Sequence, residues 1–405
     1  MSLRSIVRIA AVSLLAGPAL AQSLPEGPGK EIVQSACIGC HETSRILASG
    51  YNARDWDNVV HMMLNAGAPV QPDQVAQLEA YLVKNFPEKP KPDSPLLPGP
   101  ATVAFHEWEV PTPGSRPHDP LATHDGMLWY TGHMAGLVGR LDPRTGQFTE
   151  FRPETPNSGP HGLVEDRDGN IWFTENFAGA IGKLDPRTGT FSEYPMPDPA
   201  VRDPHTPLFD RQGMLIFTAQ AANRIGRLDP ATGKITLVTV PTPRSNPYGM
   251  VVTTDNLIYL DLFGTNKLAS VDPATMQVKE YELPNKDSRP RRIAITPDDV
   301  VFYSDYSRGY LGRFEPKTGR ITEWPSPGGP DSRPYGMAYL KSAIWYSEAN
   351  TRPNTLVRFD LATERFQTWN IPSGGGVVRN MMATPDGNLV LAESGVNRVA
   401  LVEVK

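Results

Sequence analysis

From residue 101 onward the chain repeats itself every 43 to 45 residues, a regularity that few folds can absorb. The marker is a turn. Leu141-Asp142-Pro143-Arg144-Thr145-Gly146 returns as Leu184-Asp185-Pro186-Arg187-Thr188-Gly189 and as Leu228-Asp229-Pro230-Ala231-Thr232-Gly233. Weaker copies stand at Val271-Asp272-Pro273, Phe314-Glu315-Pro316 and Phe359-Asp360-Leu361. A second marker opens each repeat: Pro117, Pro160, Pro204, Pro247, Pro290 and Pro334, with Val378 in the seventh slot. Apolar runs between the markers are four to six residues long and end in Gly or Pro, which suits strands and not helices. A period of ~40–45 residues holding four such strands is one propeller blade. Residues 101–405 therefore predict an all-β, seven-bladed propeller. Its last repeat reaches Val404 without an outer strand, and the segment from Thr102 to Val110 is expected to supply it, closing the ring and leaving no bare edge.

Three segments precede the propeller. Residues 1–21 read as a signal peptide, with Arg4 and Arg8, a short apolar core and an Ala19-Leu20-Ala21 cleavage site. This predicts export to the periplasm. The apolar core is too short for a bilayer span, which needs ~20 residues, so no membrane insertion is expected. Residues 22–86 read as a small all-α domain. Residues 87–100 carry six prolines and predict a semi-rigid linker of extended geometry. The formal charge of −5 becomes −7 once Arg4 and Arg8 are removed, and no dense basic run exists, which argues against nucleic acid as a partner.

The helical segment holds the chain's two cysteines, in Cys37-Ile38-Gly39-Cys40-His41. This C-x-x-C-H spacing attaches haem c: the two thiols add to the vinyl groups and His41 lies under the iron. No second cysteine pair exists to complete a zinc site, and none remains to form a disulfide. Trp56, Val59, Val60, Met63 and Gly67 share one face of a following helix, with Met62 turned away. Met63 is the expected sixth iron ligand, with His61 or no ligand as the alternatives. A closing helix from Asp73 to Phe86 would cover one haem edge with Val75, Leu78, Tyr81, Leu82 and Phe86. With its Trp-containing helix before Met63 and its terminal Tyr81-Leu82 helix, the domain resembles the small class I c-type cytochromes. That resemblance implies one-electron transfer. The expected fold class is thus a small all-α cytochrome c domain followed by an all-β seven-bladed propeller.

The propeller in turn resembles the virginiamycin B lyase (streptogramin lyase) family. The match is carried by Gly159-Pro160-His161-Gly162, Ile171-Trp172-Phe173-Thr174-Glu175, Ala180-Ile181-Gly182-Lys183-Leu184 and Glu193-Tyr194-Pro195. His118, His161 and His205 follow the opening Pro of three consecutive repeats, and His133, Glu175 and Gln220 end the second strands of the same repeats. Antiparallel pairing should bring all six to one mouth of the central channel. Generic polar lining, a divalent or transition metal site on His118, His133, His161 and His205, and a metal-free acid/base site are all open at this point. The resemblance implies elimination by a Pro-His pair and a second-strand Glu with magnesium. Here Glu175 falls one residue early, on the opposite strand face by the period of two. Three functions follow as expectations: a haem oxidoreductase or electron-transfer subunit acting on a small-molecule substrate or redox partner protein, a C–O lyase with an attached cytochrome, and a non-catalytic docking propeller.

Overall fold

The computed structural model describes residues 23–405, a small helical module set against a seven-bladed propeller. The expected signal peptide lies outside the described residues. Among the described residues, no helix is long and apolar enough to cross a membrane.

In the module, α1 (Lys30–Ile32) runs on as a π-helical stretch (Val33–Cys37) that ends at the first cysteine. Then come α2 (Thr43–Ala48), α3 (Ala53–Asn65) and α4 (Val75–Asn85). Asn52 starts α3 by accepting the Asp55 backbone N–H, satisfying one of the donors a helix N-terminus leaves free. The expected apolar stripe is turned inward: Trp56 and Val60 are buried with Leu78 and Leu82 of α4. Each such side chain contributes about 1.5–3 kcal/mol by leaving water. The one polar atom of Trp56 is satisfied, its Nε1 donating to the Phe86 carbonyl at 2.8 Å.

Each blade is a four-stranded antiparallel sheet, and six of them run in simple sequence order. In the seventh, Val103–Glu109 pairs with Arg398–Val404, from Val103 opposite Val404 to Glu109 opposite Arg398. The ring closes through its own N-terminal strand, as expected from the truncated last repeat. Third-strand glycines make room for second-strand aromatics. A side chain at Gly139, Gly182, Gly226 or Gly312 would occupy the rings of Tyr130, Phe173, Phe217 or Tyr303.

Every inner strand carries one extra residue. In blade 2, Pro160 lies opposite Glu175, yet Leu163 lies opposite Phe173. Such a bulge leaves backbone groups without ladder partners. A second-strand hydroxyl repairs this and binds the neighbouring blade as well. Thr174 Oγ1 accepts from the Gly162 N–H at 3.0 Å and donates to the His205 carbonyl of the next blade at 2.7 Å. Thr131 does the same between Asp119 and His161, and Thr218 between Thr206 and Tyr248.

The Pro-rich linker behaves differently from a free spacer. Prolines remove donors but keep their carbonyls, and these accept from blade 6: Pro92 O from the Arg352 N–H at 2.9 Å and Pro95 O from Thr368 Oγ1 at 2.6 Å. Leu97 adds a bond in each direction with Thr368. The segment is a strap laid along an outer strand.

The module is also tied to the mouth. Asn58 Nδ2 donates to Gly395 O at 2.9 Å, Asn65 Nδ2 to Pro113 O at 2.8 Å and Arg54 to Ser373 O at 3.2 Å. Gly114, at φ 62°, packs so close to the His61–Met62 backbone that any side chain there would strike it.

Two outcomes check this account. Thr174→Val should lower unfolding free energy by about 1–3 kcal/mol, the cost of stranding buried polar groups, with Thr174→Ser much milder. A chain beginning at residue 111 should unfold at lower denaturant than one beginning at residue 99, since it lacks the closing strand; equal midpoints would refute closure by Val103–Glu109.

Candidate functional site

The slot after each opening residue reads, around the ring, His118, His161, His205, Tyr248, Arg291, Tyr335 and Arg379. These side chains meet. The His118 and His161 ring centroids are 3.7 Å apart, His161 and His205 3.8 Å, and His205 and Tyr248 4.0 Å. The Tyr248 and Tyr335 hydroxyls are 2.6 Å apart, and the Arg291 guanidinium lies 4.1 Å from the Tyr335 ring centroid. From the second strand of blade 1, His133 adds a fourth imidazole, 5.3 Å from His118 and 5.2 Å from His161.

Burial, then neighbouring imidazoles and guanidinium groups, push His118 and His161 well below their ordinary range. Burial followed by arginine neighbours does the same to His133 and His205. All four are neutral at pH 7, so they offer lone pairs and no charge. Deeper in the ring, Asp119 accepts from His118 at 2.9 Å, from Arg292 at 2.8 Å and from Asn380 at 3.1 Å. His118, Asp119 and His161 bring three ligand atoms within 4.8 Å of one another, a set able to hold a metal ion. His133 and His205 fall outside that set.

Glu175 does not join the histidines. It is fully buried and turned toward Ser158 and Glu193, and burial followed by Glu193 pushes its carboxyl up to about 7. The residue equivalent to His133 in its blade is Asn176, directly after Glu175. Gln220 holds the same slot in blade 3 and is half-buried. His124 is exposed and paired with Glu165 at 2.7 Å, away from the mouth.

Between the module and the mouth lies a cavity of about 430 Å³. The module lines it with Cys37, His41, Met62 and Met63 and with apolar Trp56, Val60, Leu78 and Leu82; the propeller supplies Arg116, His133, Phe177 and Arg379. Both methionines therefore reach the cavity. Met62, expected to turn away, does not, because the face of α3 beside the apolar stripe meets the propeller and not solvent. His61 is absent from the lining; its Nδ1 lies 3.0 Å from the Asp57 carbonyl. Cys37 is half-buried, and burial followed by Cys40 raises its thiol pKa, while Cys40 is exposed. His41 Nδ1 is buried with no partner among the described residues. The Cys37 thiol of the C-x-x-C-H motif, the unpartnered His41 imidazole, the Met63 thioether and an apolar wall suit the group that the motif implies, while the exposed Cys40 is not among the lining residues.

The sequence profile of the Virginiamycin B lyase family matches residues 101–271. A solved streptogramin B lyase is 27% identical, with a TM-score of 0.68, covering 75% of this chain and 98% of its own. Virginiamycin B lyase from Staphylococcus aureus is 23% identical at a TM-score of 0.68, over 74% of this chain and 99% of its own. Hydrazine synthase from Kuenenia stuttgartiensis is 16% identical at a TM-score of 0.61, over 71% and 95%, and shares the fold. No curated protein matches the sequence. The class is thus a seven-bladed propeller similar to the streptogramin B lyases. The family match begins at residue 101, so the helical module lies outside it.

The placement of Glu175 has a measurable consequence. Its folded pKa is raised, so its buried carboxyl favours the fold at low pH and opposes it as pH climbs from its ordinary 4.5 toward about 7. Glu175→Gln removes that dependence. Relative to the unaltered protein, the variant should gain stability steadily between pH 5 and 8 in denaturant unfolding. A pH-independent difference would contradict the buried, carboxylate-facing position.

Proposed function

We propose that this is an exported, periplasmic c-type haem protein in which the cytochrome-like module and the propeller enclose the haem together. The observation that carries this reading is the single cavity lined by Cys37, His41 and Met63 on one side and by His133, Arg116 and Arg379 on the other. Bound there, haem would supply one-electron transfer. Cys37 and Cys40 would tether it through thioethers, and His41 and Met63 would hold its iron. Trp56, Val60, Leu78 and Leu82 exclude water from the ring. On the propeller side, the neutral imidazoles of His133, His118, His161 and His205 run from the cavity wall into the channel. They present acceptors to a small substrate, and His118, Asp119 and His161 are the residues that would hold a second metal. Because α3 covers this mouth, a redox partner protein would meet the outer side of the module, where Cys40 is exposed, and a docking propeller would use its other faces.

A second reading, a streptogramin lyase-like C–O lyase with an attached cytochrome, is supported by the 27% identity to a streptogramin B lyase and by the adjacent Pro-His pairs. Against it stand the covered mouth and the absence of Glu175 from the histidine group. Incubation with a streptogramin B and mass analysis for a ring-opened product tests it; that reading requires turnover that is lost in His161→Ala.

For the haem reading, the purified full chain should show a haem absorption spectrum that survives denaturation. Cys37→Ala with Cys40→Ala should abolish it. Met63→Ala should remove the sulfur-to-iron charge-transfer band and Met62→Ala should keep it. The reverse would move the axial ligand one residue back along α3.

A further inference from the structure

Three guanidinium groups line the cavity: Arg116 and Arg379 from the propeller and Arg45 from α2 of the module. Ordinarily a half-buried arginine is met by a carboxylate. Here, among the described residues, no Asp or Glu lies within 4.0 Å of any of the three. The Arg116 side chain has only the Met134 sulfur, at 3.6 Å, and Arg379 Nε is buried without a partner. The two cations crowd each other: Arg379, then burial, push the Arg116 guanidinium down to about 9. Arg45 is exposed at the cavity's edge, while Arg116 and Arg379 are half-buried in its wall; two half-buried cations without a carboxylate call for an anion of two charges, held by planar forks that suit carboxylates.

We propose that Arg116 and Arg379, assisted by Arg45, bind the two propionate carboxylates of the haem, so that the propeller supplies the anionic half of the haem site. The proposal rests on the haem reading above. It makes the haem a bridge: Cys37, Cys40 and His41 hold it from the module while Arg116 and Arg379 hold it from blades 1 and 7. The propeller then has a role that needs no substrate of its own, which is to set the haem's potential and to lock the module over the mouth.

The test is spectroelectrochemical titration of the intact protein, unaltered and as Arg116→Gln with Arg379→Gln. Ferric haem carries one more positive charge than ferrous, so nearby cations favour the reduced state. Losing them should raise the oxidised-to-reduced ratio at a fixed potential by about tenfold, about 59 mV for one electron. It should also introduce a pH dependence of the midpoint as the freed propionates titrate. Arg116→Lys with Arg379→Lys should restore most of the midpoint. Arg379→Gln alone, which leaves the backbone contacts of blade 7 in place, should show a partial shift even if the double variant fails to fold. Unchanged midpoints in the Gln variants would overturn the carboxylate clamp while leaving the haem reading intact. An unaltered protein without covalent haem would overturn both.

Discussion

The hydroxyl that bridges a bulged inner strand to the next blade in blades 1 to 3 sets the backbone beneath the histidine cluster. Thr131, Thr174 and Thr218 each satisfy an N–H freed by the bulge and a carbonyl one blade on. Those carbonyls belong to His161, His205 and Tyr248, so the bonds that join blades 1 to 4 to one another fix the backbone beneath the slot side chains. Imidazoles at 3.7 and 3.8 Å spacing follow from that lattice, and no direct attraction between them is needed. Neutral rings stack without the repulsion that imidazolium groups would suffer, and burial keeps them neutral.

Over this lattice the helical module acts as a cover. Asn58, Asn65 and Arg54 donate to backbone carbonyls of the propeller loops, and Gly114 lets α3 approach to backbone contact. The strap from Pro92 to Leu97 holds the chain between module and propeller along blade 6. Together they border a space whose module wall is mostly apolar, with Cys37 and His41, and whose propeller wall carries Arg116, Arg379 and His133. In the reading proposed here, that asymmetry matches a porphyrin with one apolar and one carboxylate edge.

Much of this was legible in one dimension. The 43-residue turn marker specified blade number, and the missing last strand specified how the ring closes. The position of Cys37, Cys40 and His41 together, and of Trp56 and Val60 on one helical face, followed from spacing alone. Glu175 shows where position in the strand stops being a guide. Its place at a strand end suggested the mouth, whereas the period of two put it on the opposite strand face. The structure follows the second, turning it toward Ser158 and Glu193 while Asn176 takes the slot. Met62 shows the same limit from another side, because helix periodicity distinguishes core from solvent but cannot know that a second domain lies against the supposed solvent face.

The sequence by itself determined the repeat, its closure, the C-x-x-C-H spacing and the three Pro-His slots, since each is a local pattern whose geometry is set by a few neighbouring residues. Tertiary structure alone decided the rest. The bulge that seats Arg379 in the seventh slot depends on cross-strand register, which no single strand encodes. The meeting of Arg45, Arg116 and Arg379 joins residues 71 to 334 positions apart, so their shared lack of a carboxylate could emerge only once α2, blade 1 and blade 7 were brought to one cavity. Local sequence sets local geometry; the charge balance of a cavity is a property of everything that folds around it.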